Sequence, residues 1–353
     1  MIIKVVIIET DPRFLDRLTT VFSKNYADKI EVYPFTDPEV ALSTLQFVKP
    51  NVLIADESIR IPQKSLPADC SLAYFVSSVS TDQVDGHRAI CRFQRAELIY
   101  KQIMGILSEE SNSATYKDVK DSETKIITFT SPSGGVGVST TAAAFSLRIA
   151  SQGHSVLYLD LDPYGCPGFY FSGDGNYTFG DILHTLVHKD GNLTELLVNA
   201  SRKDPRGVSF FCHSSSSTVY PPLAPEAIAR LLRELRVIAT FDYIIVDIPF
   251  SIFLHQDDLR TRSSGIVLLT DATEQSQFKL TRGYFTLLQD SAAKESLCDS
   301  TLYLLTTKCN SFPARIHQLS DLQDLGQIPF IPQADNKSRL SSIATLPLFD
   351  TLI

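Results

Sequence analysis

The sequence predicts an α/β protein built from two doubly wound domains. Short apolar runs of strand length alternate with segments whose apolar residues recur at helical spacing. The alternation stops at residues 108–124, a polar and charged stretch without periodicity that we interpret as a linker, and then resumes. The length of 353 residues also exceeds the roughly 250 residues at which single cores stop growing. We therefore expect one domain over residues 1–107 and a second over residues 125–353.

Composition and charge narrow the class of protein. Hydrophobic residues make up 44% of the chain and charged residues 20%, which suits a globular protein with a sizeable core. The net charge of -8 disfavours a nucleic-acid partner, which needs a basic surface. No apolar run approaches the ~18 residues of a membrane span, and the first apolar stretch has no basic region before it. The cysteines form no CxxC pair, so we expect reduced thiols in a cytoplasmic protein that does not insert directly into a membrane.

The elements of the first domain follow one another in order. Residues 2–8 form a continuous apolar run, as expected of a strand buried on both faces. Phe14, Leu15, Leu18 and Phe22 then recur at helical spacing. The remaining strands are expected at residues 30–33, 52–55, 73–76 and 89–93, and the remaining helices at residues 40–47 and 96–107.

Polar side chains follow the strands of this domain at their carboxyl ends, where parallel sheets place function. The candidate pocket residues, after the first, third, fourth and fifth strands, are Glu9, Asp56, Ser77 and Arg92. An aspartate beside an acid, a hydroxyl and a cation can support Mg²⁺-assisted phosphorylation. The segments VVIIETDPRF and NVLIADE resemble the acidic pocket and the phosphoacceptor strand of receiver domains of two-component signalling. The resemblance implies a flavodoxin-like fold with Asp56 as phosphoacceptor.

The resemblance to receivers is incomplete in three places. Thr10 stands where receivers have a second acid beside Glu9. Arg92 and Phe93 stand where receivers have Lys-Pro, and residues 77–92 leave too little chain for a full fourth helix. Two interpretations therefore remain. We favour a degenerate receiver that serves as a docking module over a receiver phosphorylated at Asp56.

The second domain repeats the alternation on a larger scale. Strands are expected at residues 125–129, 155–159, 208–212, 243–246, 265–269 and 301–305, and helices at 140–150, 225–239 and 276–289. This order predicts a parallel sheet that is covered by helices on both faces.

The strongest motif in the chain is a glycine-rich loop, SPSGGVGVST, between the strand at 125–129 and the following helix. Glycines allow backbone N–H groups to turn inward, and the helix N-terminus adds about half a positive charge, so this arrangement predicts a phosphate cradle. Ser139 is placed to ligate Mg²⁺ beside the phosphates. The predicted nucleotide-binding residues are Ser133, Gly134, Gly135, Val136, Gly137, Val138, Ser139 and Thr140.

The loop resembles the deviant Walker A motif of the MinD/ParA family, KGGxGK[ST], with Ser133 and Val138 in place of its two lysines. LDLDP at 159–163 resembles the family's switch I segment, FDYIIVDIP at 241–249 resembles Walker B and switch II, and IP at 328–329 resembles a late segment near the base. The resemblance implies ATP and Mg²⁺ as cofactors and roles for individual residues. Asp247 would hold the hydrated Mg²⁺, Asp162 would orient the attacking water and Asp160 would support the switch, although both of the latter could instead serve as a simple turn or helix cap.

The residues that differ from the MinD/ParA motifs affect how the chain could bind and hydrolyse a nucleotide. Thr307 and Lys308 stand where the family has a base-contacting Asn-Arg, so base specificity, to which Pro329 would also contribute, stays open. Removing one donor that stabilises transition-state charge typically costs roughly 100- to 1000-fold in rate. Without both lysines we expect ATP binding with slow or absent hydrolysis, unless Lys308 or an arginine of a partner substitutes. An empty pseudo-site is the alternative.

An atypical receiver followed by a MinD/ParA-type domain with an eroded P-loop resembles the TadZ/CpaE family over almost the whole chain. The resemblance implies a polar localisation scaffold that forms a homodimer and recruits other Flp/Tad pilus assembly proteins. A cycling ATPase and a phosphorylation-controlled signalling protein are the alternatives. The last segment, residues 336–353, has only two basic residues and a proline, so we expect its apolar side chains to dock on the domain or a partner rather than on a membrane.

Overall fold

The computed structural model describes residues 2–67, 70–107, 124–188, 191–213, 223–238, 241–271, 273–289, 301–309, 319, 322–332 and 335–353. The expected linker, apart from Thr124, and Cys298 lie outside these residues. The described residues divide into two compact units, which correspond chiefly to residues 2–107 and 124–353.

The first unit is a six-stranded sheet in the order β2-β1-β3-β4-β6-β5 with helices on both faces. This is the flavodoxin-like strand order, with β6 as its fifth parallel strand. The sheet is parallel, as expected, apart from the edge strand β5, which was not predicted and pairs antiparallel with β6 in a tight hairpin. No helix forms between β4 and β6, where a fourth helix would stand. The elements are β1 (Ile3–Ile8), α1 (Pro12–Asn25), β2 (Ile30–Phe35), α2 (Pro38–Val48), β3 (Val52–Asp56), a 3-10 turn (Gln63–Ser65), β4 (Ser71–Val76), β5 (Gln83–Val84), β6 (His87–Cys91) and α3 (Ala96–Leu107).

The first two helices begin at the same local signal, an aspartate followed by proline. Asp11 and Asp37 are the N-caps, and each carboxylate accepts the N–H groups of the second and third helical residues. Proline suits the first helical position because its missing N–H would have no partner there. The cap at Asp11 fixes the turn that leaves β1, and the Asp11 N–H donates to Oε1 of Glu9 at 3.1 Å. Helix initiation and the pocket at the end of β1 are thus coupled.

The second unit is an eight-stranded sheet in the order β14-β13-β12-β7-β11-β8-β10-β9. Its strands are parallel except β9, which pairs antiparallel with β10. The sequence predicted neither β9 nor β14. The elements are β7 (Lys125–Thr130), α4 (Val138–Ser151), β8 (Val156–Asp160), a 3-10 turn (Pro167–Phe169), α5 (Phe179–His188), α6 (Leu193–Ala200), β9 (Arg202–Lys203), β10 (Val208–Phe210), α7 (Pro225–Ile238), β11 (Tyr243–Asp247), α8 (Phe250–Phe253), α9 (Asp257–Arg262), β12 (Gly265–Asp271), α10 (Glu274–Gln289), β13 (Thr301–Cys309), β14 (Gln323–Pro329), α11 (Asn336–Ala344) and a second 3-10 helix (Pro347–Leu352).

The C-terminal segment packs on α4, as its apolar residues predicted. Leu340 and Ile343 of α11 and Phe349 and Leu352 of the following 3-10 helix are buried in the core cluster that α4 forms with the sheet. The rings of Phe145 and Phe349 lie 5.2 Å apart between centroids. Burial of these side chains supplies the apolar area that keeps α4, and with it the loop before α4, in place.

Two expectations about the chain as a whole can be compared with the described residues. None of the helices there is both long and apolar enough to cross a bilayer. The cysteines in this part of the chain are free thiols, as their spacing predicted: Cys70, Cys91, Cys166, Cys212 and Cys309.

Candidate functional site

The loop between β7 and α4 has the backbone geometry of a phosphate cradle. Gly135 and Gly137 have φ angles of 75° and 94°, a left-handed conformation that glycine adopts without strain. A Cβ atom at Gly134, Gly135 or Gly137 would meet nothing within 4 Å, so the loop is open on that side. Gly137 is the N-cap of α4 and offers no side-chain cap. The N–H groups of the first helical turn are therefore available to an anion.

Neighbouring strands support the loop through its own polar groups. Ser131 donates its hydroxyl to the carbonyl of Leu269 on β12 at 2.7 Å and accepts the N–H of Ser133 at 3.0 Å. These bonds hold the start of the loop against the sheet. Ser133, where the related motif has its first lysine, is buried and takes part in the support of the loop through its backbone.

Thr307 and Lys308 contact the outer side of the same loop. The Thr307 hydroxyl, 3% exposed, donates to the carbonyl of Val136 at 2.6 Å. The Lys308 ammonium donates to the carbonyl of Gly135. Pro329 ends β14 at an exposed position. The structure thus places Thr307 and Lys308 as supports of the loop's carbonyl groups.

Gly283 in α10 is a supporting residue that sequence reasoning missed. A Cβ atom at Gly283 would lie 2.5 Å from Cγ of Pro132 and 3.0 Å from Cζ of Phe250. The loop therefore approaches α10 as closely as it does only because this position lacks a side chain. A lone glycine inside a helical pattern was the only signal in the sequence.

Two buried carboxylates stand side by side beneath the loop. Asp160 ends β8, Asp247 ends β11, and the two are partners in the parallel register of these strands, with exposures of 4% and 3%. The Tyr158 hydroxyl donates to Oδ2 of Asp247 at 2.7 Å, and the Ser139 hydroxyl also hydrogen-bonds to this carboxylate. Asp162 donates its N–H to Oδ1 of Asp160 at 3.0 Å. The four predicted residues Ser139, Asp160, Asp162 and Asp247 thus come together, and Tyr158 is an addition.

Burial and mutual repulsion govern the ionisation of the two acids. Burial, and then the negative charge of Asp247, raise the pKa of Asp160 well above its usual range. Burial also raises the pKa of Asp247 to about 6, although the hydrogen bonds from Ser139 and Tyr158 oppose this rise. The pair therefore carries less negative charge than two ordinary carboxylates, and a cation placed beside it would favour the ionised forms.

A cavity of about 590 Å³ opens between the loop and the side chains of Asp162 and Asp247. Its lining includes the loop glycines, Ser139, Asp162, Tyr170 and Asp247, together with the segment that follows β11. The Tyr170 hydroxyl lies 3.3 Å from the hydroxyl of Thr140 at the start of α4. Among the residues that the structure describes, none of those lining the cavity is Lys or Arg. The volume falls within the ~300–1,000 Å³ range of small-molecule sites.

The donor set fits Mg²⁺ only together with a phosphorylated ligand. Within the described ranges, no group of three or more His, Cys, Asp or Glu side chains could hold a metal by itself. Mg²⁺ is usually held through one or two carboxylates, waters and the phosphates of a substrate. Ser139 and Asp247 supply a hydroxyl and a carboxylate of this kind next to the anion-binding loop. These two residues would hold the ion.

The first unit contains a second acidic pocket at the carboxyl ends of β1 and β3. Glu9 is completely buried and Asp56 is 3% exposed. Arg92, directly after β6, places Nη2 at 3.0 Å from Oδ2 of Asp56 and Nη1 at 3.4 Å from Oε1 of Glu9. Glu57 lies 3.7 Å from Nη2 of Arg92. The predicted residues Glu9, Asp56 and Arg92 thus form one ion-pair cluster.

The hydroxyl group next to Asp56 comes from a different residue than predicted. Ser58 donates its N–H at 2.9 Å and its hydroxyl at 2.5 Å to Oδ1 of Asp56. Thr10 lies 3.4 Å from Oδ2. Ser77 instead donates its backbone N–H to Glu57 at 2.8 Å, and no hydrogen bond among the described residues joins its side chain to Asp56.

The two acids of this pocket shift in opposite directions. Burial raises the pKa of Glu9 to about 7, against the opposing hydrogen bond from the Asp11 N–H and the charge of Arg92. Burial also disfavours the charged form of Asp56. However, the hydrogen bonds from Ser58 and the charge of Arg92 outweigh it and lower the pKa of Asp56. Asp56 is therefore the member of the pair that stays ionised.

Comparison with known families gives one match to each unit. Residues 1–108 match the TadZ-like receiver domain, and residues 124–277 match a family described as an AAA domain. The septum site-determining protein MinD of Helicobacter pylori is 34% identical over 128 residues, which are 36% of this chain and 45% of that protein. An iron-sulfur cluster carrier protein of Haemophilus influenzae is 27% identical over 162 residues, which are 45% of this chain and 39% of that protein. The matched part thus spans less than half the length of either relative.

Solved structures agree with the fold of the second unit. A ParA family ATPase from Chlorobium tepidum TLS superposes with a TM-score of 0.50 at 17% identity, over 64% of this chain and 99% of that one. At this level of identity the likeness concerns the fold alone. Together with the family matches and the loop geometry, it shows that the chain joins a TadZ-like receiver domain to a P-loop NTPase domain of the MinD/ParA type.

Proposed function

We propose that the chain is a localisation scaffold for Flp/Tad pilus or secretion machinery, in which bound ATP and Mg²⁺ stabilise a homodimer and hydrolysis is weak or absent. One observation carries the nucleotide part: an uncapped helix N-terminus and an open glycine loop line a cavity of nucleotide size together with the carboxylates of Asp162 and Asp247. The anion would bind the loop, and the Mg²⁺ held by Ser139 and Asp247 would neutralise both the phosphates and the acids.

The described residues that line the cavity include no Lys or Arg, which supports slow chemistry. Phosphoryl transfer depends on positive charge around the γ-phosphate. Val138 is the first residue of α4, where the related motif has its lysine, and it lines the cavity. Lys308, the basic residue that the sequence offers as a substitute, donates a hydrogen bond to the Gly135 carbonyl and is not among the described lining residues. Binding survives this loss better than turnover, because backbone N–H groups and Mg²⁺ still hold the phosphates.

The localisation part rests on the TadZ-like receiver domain next to a MinD/ParA-type domain. A polar site, recruitment of other Tad components and dimerisation are each part of the proposal. A negatively charged chain with no described membrane-spanning helix would reach such a site through protein partners.

Calorimetric titration of the purified full chain with MgATP, MgADP and ATP plus EDTA tests nucleotide binding. We expect Mg²⁺-dependent binding that Ser139→Ala weakens by at least about tenfold, since a charge-assisted contact to the ion is lost. Ser151→Ala is the matched control, because Ser151 lies at the exposed far end of the same helix. Phosphate release should stay near background. Absence of any heat with all three ligands would contradict nucleotide binding.

Light scattering coupled to gel filtration tests the dimer, and pairwise pull-downs with individually purified Tad proteins test recruitment. We expect the mass to double with MgATP in the wild type and to remain that of a monomer in Ser139→Ala. A mass that does not respond to nucleotide, together with normal binding in calorimetry, would leave a nucleotide-binding protein without the proposed switch.

A further inference from the structure

The pocket at Glu9 and Asp56 differs from a metal-binding receiver pocket in what lies between its acids. The receiver resemblance implies a Mg²⁺ ion held by acids at the ends of β1 and β3. In this chain the guanidinium of Arg92 spans that position, with one nitrogen 3.4 Å from Glu9 and the other 3.0 Å from Asp56. The arginine side chain is 15% exposed, and the acids are 0% and 4% exposed.

The oxygens of the two acids are largely committed to these protein donors. Oδ1 of Asp56 accepts both donors of Ser58, and Oδ2 accepts Arg92. Oε1 of Glu9 accepts the Asp11 N–H and Arg92. Among the described carboxylate oxygens of Glu9 and Asp56, only Oε2 of Glu9 is buried and has no hydrogen-bond partner. One unpartnered oxygen is less than the one or two free carboxylate groups through which proteins usually hold hydrated Mg²⁺.

We propose that Arg92 takes the place of the metal, so that the pocket binds no Mg²⁺ and Asp56 accepts no phosphoryl group. A metal at ~2.1 Å from both acids would lie against the guanidinium, and the repulsion between the two cations opposes it. Arginine suits the role because its planar fork can contact two carboxylates at once, which the single ammonium of lysine does less well. The site also has one acid fewer than a receiver, since Thr10 follows Glu9.

The consequence is a receiver fold whose functional pocket is closed by an internal ion pair. Asp11, which caps α1, contacts Glu9, and Glu57, which contacts Arg92, accepts the N–H of Ser77 after β4. The cluster therefore connects the turns that leave β1, β3, β4 and β6. The first unit keeps one conformation and presents a constant surface instead of switching.

Paramagnetic broadening by Mn²⁺ in the full-length protein tests the proposal with residue resolution. Isoleucine δ1 methyl groups of Ile54 and Ile90, two residues before Asp56 and Arg92, report on the pocket, and Ile126 and Ile245 report on the second unit. Without nucleotide, we expect the Ile54 and Ile90 signals of the wild type to keep their intensity. Arg92→Met should raise the apparent Mn²⁺ affinity of this pocket by at least about tenfold, because a cation no longer faces the ion. Arg60→Met is the control, since Arg60 pairs with Asp85 on the surface of the same unit.

The outcomes separate clearly. Selective broadening of Ile54 and Ile90 in the wild type overturns the proposal, as does a shift of these signals on adding beryllofluoride with Mg²⁺. Absence of any gain in Arg92→Met also overturns it, because the arginine would then not be what excludes the metal. If Arg92→Met does not fold, Arg92→Lys restores the residue that receivers carry there. The lysine variant should gain Mn²⁺ affinity, and no gain counts against the proposal.

Discussion

Both units bring two carboxylates to the carboxyl ends of adjacent parallel strands, and they neutralise them in opposite ways. Glu9 and Asp56 share the guanidinium of Arg92. Asp160 and Asp247 are buried to a similar extent, and no described residue that lines the cavity at Asp247 is basic. The partners of Asp160 and Asp247 are neutral donors, and burial raises the pKa of both. In the first unit burial also raises the pKa of Glu9, to about 7, but the pKa of Asp56 is lowered.

The difference shows which pocket depends on a ligand. A buried charge is costly unless it is paired, so an acid pair without a protein cation is best stabilised by one that arrives from outside. The acids of the second unit stand beside an open anion-binding loop, where Mg²⁺ and phosphate can arrive together. The acids of the first unit already have their cation. We therefore propose that the first pocket is structural and that the second is a binding site.

Removing the internal cation should produce the largest effect. Arg92→Met leaves two buried acids without a cationic partner, and breaking a buried ion pair in this way costs about 3–5 kcal/mol of unfolding free energy. Hydrogen exchange of peptides from β1 and β3 during urea unfolding measures the stability of this unit. Arg60→Met should change it by less than about 0.5 kcal/mol, because exposed pairs contribute little. Equal effects of the two substitutions would mean that the guanidinium is not what stabilises the pocket.

The raised pKa of Glu9 predicts a pH-dependent effect of opposite direction and smaller size, a gain of stability when the acid is replaced. The folded state holds the proton more tightly than the unfolded state, with a pKa of about 7 against 4.5, so stability is full below pH 4.5 and falls as the pH rises through 7. Glu9→Gln mimics the protonated acid and avoids this loss. The variant should be up to roughly 3 kcal/mol more stable than the wild type at pH 8 and about equal to it at pH 4.

The same exchange experiment at the two pH values measures this difference. Glu31→Gln, on the exposed side of β2, is the control and should follow the wild type at both pH values. If Glu9→Gln is less stable than the wild type at pH 8, ionised Glu9 is needed as a partner of Arg92. The positive charge of Arg92 then outweighs the effect of burial on Glu9.

The sequence was sufficient to bring the acids together, because parallel strands place their carboxyl ends at one edge of the sheet. It was not sufficient to identify their partners. Tyr158 lies in an apolar strand pattern and resembles a core residue, while its hydrogen-bond acceptor is 89 residues away on another strand. Lys308 contacts the outer side of the loop from a left-handed backbone conformation, with φ of 54°, that its sequence does not signal. Which hydroxyl meets Asp56, Ser58 rather than Ser77, likewise depends on the turn after β3.

The edge strands were missed for a different reason. β5 and β9 have two residues each, which is too short for any alternation of apolar and polar side chains to be visible. β14 carries a glycine with φ of 108° and pairs with β13 through shifts in register. The alternation of apolar and polar side chains that marks a regular strand is therefore interrupted in β14. Such edges are specified by tertiary pairing and by bulges, and local periodicity does not reveal them.

Supplying a cation to the second pocket should strengthen ligand binding. Val138→Lys places an ammonium at the first residue of α4, facing the cavity beside the loop. A hydrogen bond to a charged group contributes about 1.5–3 kcal/mol, which corresponds to roughly 10- to 100-fold tighter binding of MgATP. Calorimetric titration measures this gain, with Val138→Met as a control of similar length without charge. Equal affinity in the two variants would show that phosphate does not bind at this loop.

The smallest predicted effect concerns Tyr158, whose hydroxyl is a neutral donor to Asp247. Tyr158→Phe should cost about 1 kcal/mol of unfolding free energy, the usual net value of one hydrogen bond. It should also raise the pKa of Asp247 further above about 6. The hydrogen bond from Tyr158 stabilises the ionised carboxylate in the wild type, and the variant lacks it. Mg²⁺-dependent nucleotide binding, which needs ionised Asp247, should then weaken near pH 6.5 and stay close to that of the wild type at pH 8.

Tyr243→Phe separates this electrostatic effect from a general loss of stability. Tyr243 lies on the same strand as Asp247 and donates its hydroxyl to the carbonyl of Ile353 at 2.9 Å, without contact to either acid. Tyr243→Phe loses this hydrogen bond and the 3.4 Å one that the hydroxyl accepts from Lys125, so it should lose at least as much stability as Tyr158→Phe. Only Tyr158→Phe should move the acid side of the pH profile of nucleotide binding. If the two variants gave the same profile, Tyr158 would be a packing residue, and the second pocket would depend on its incoming cation alone.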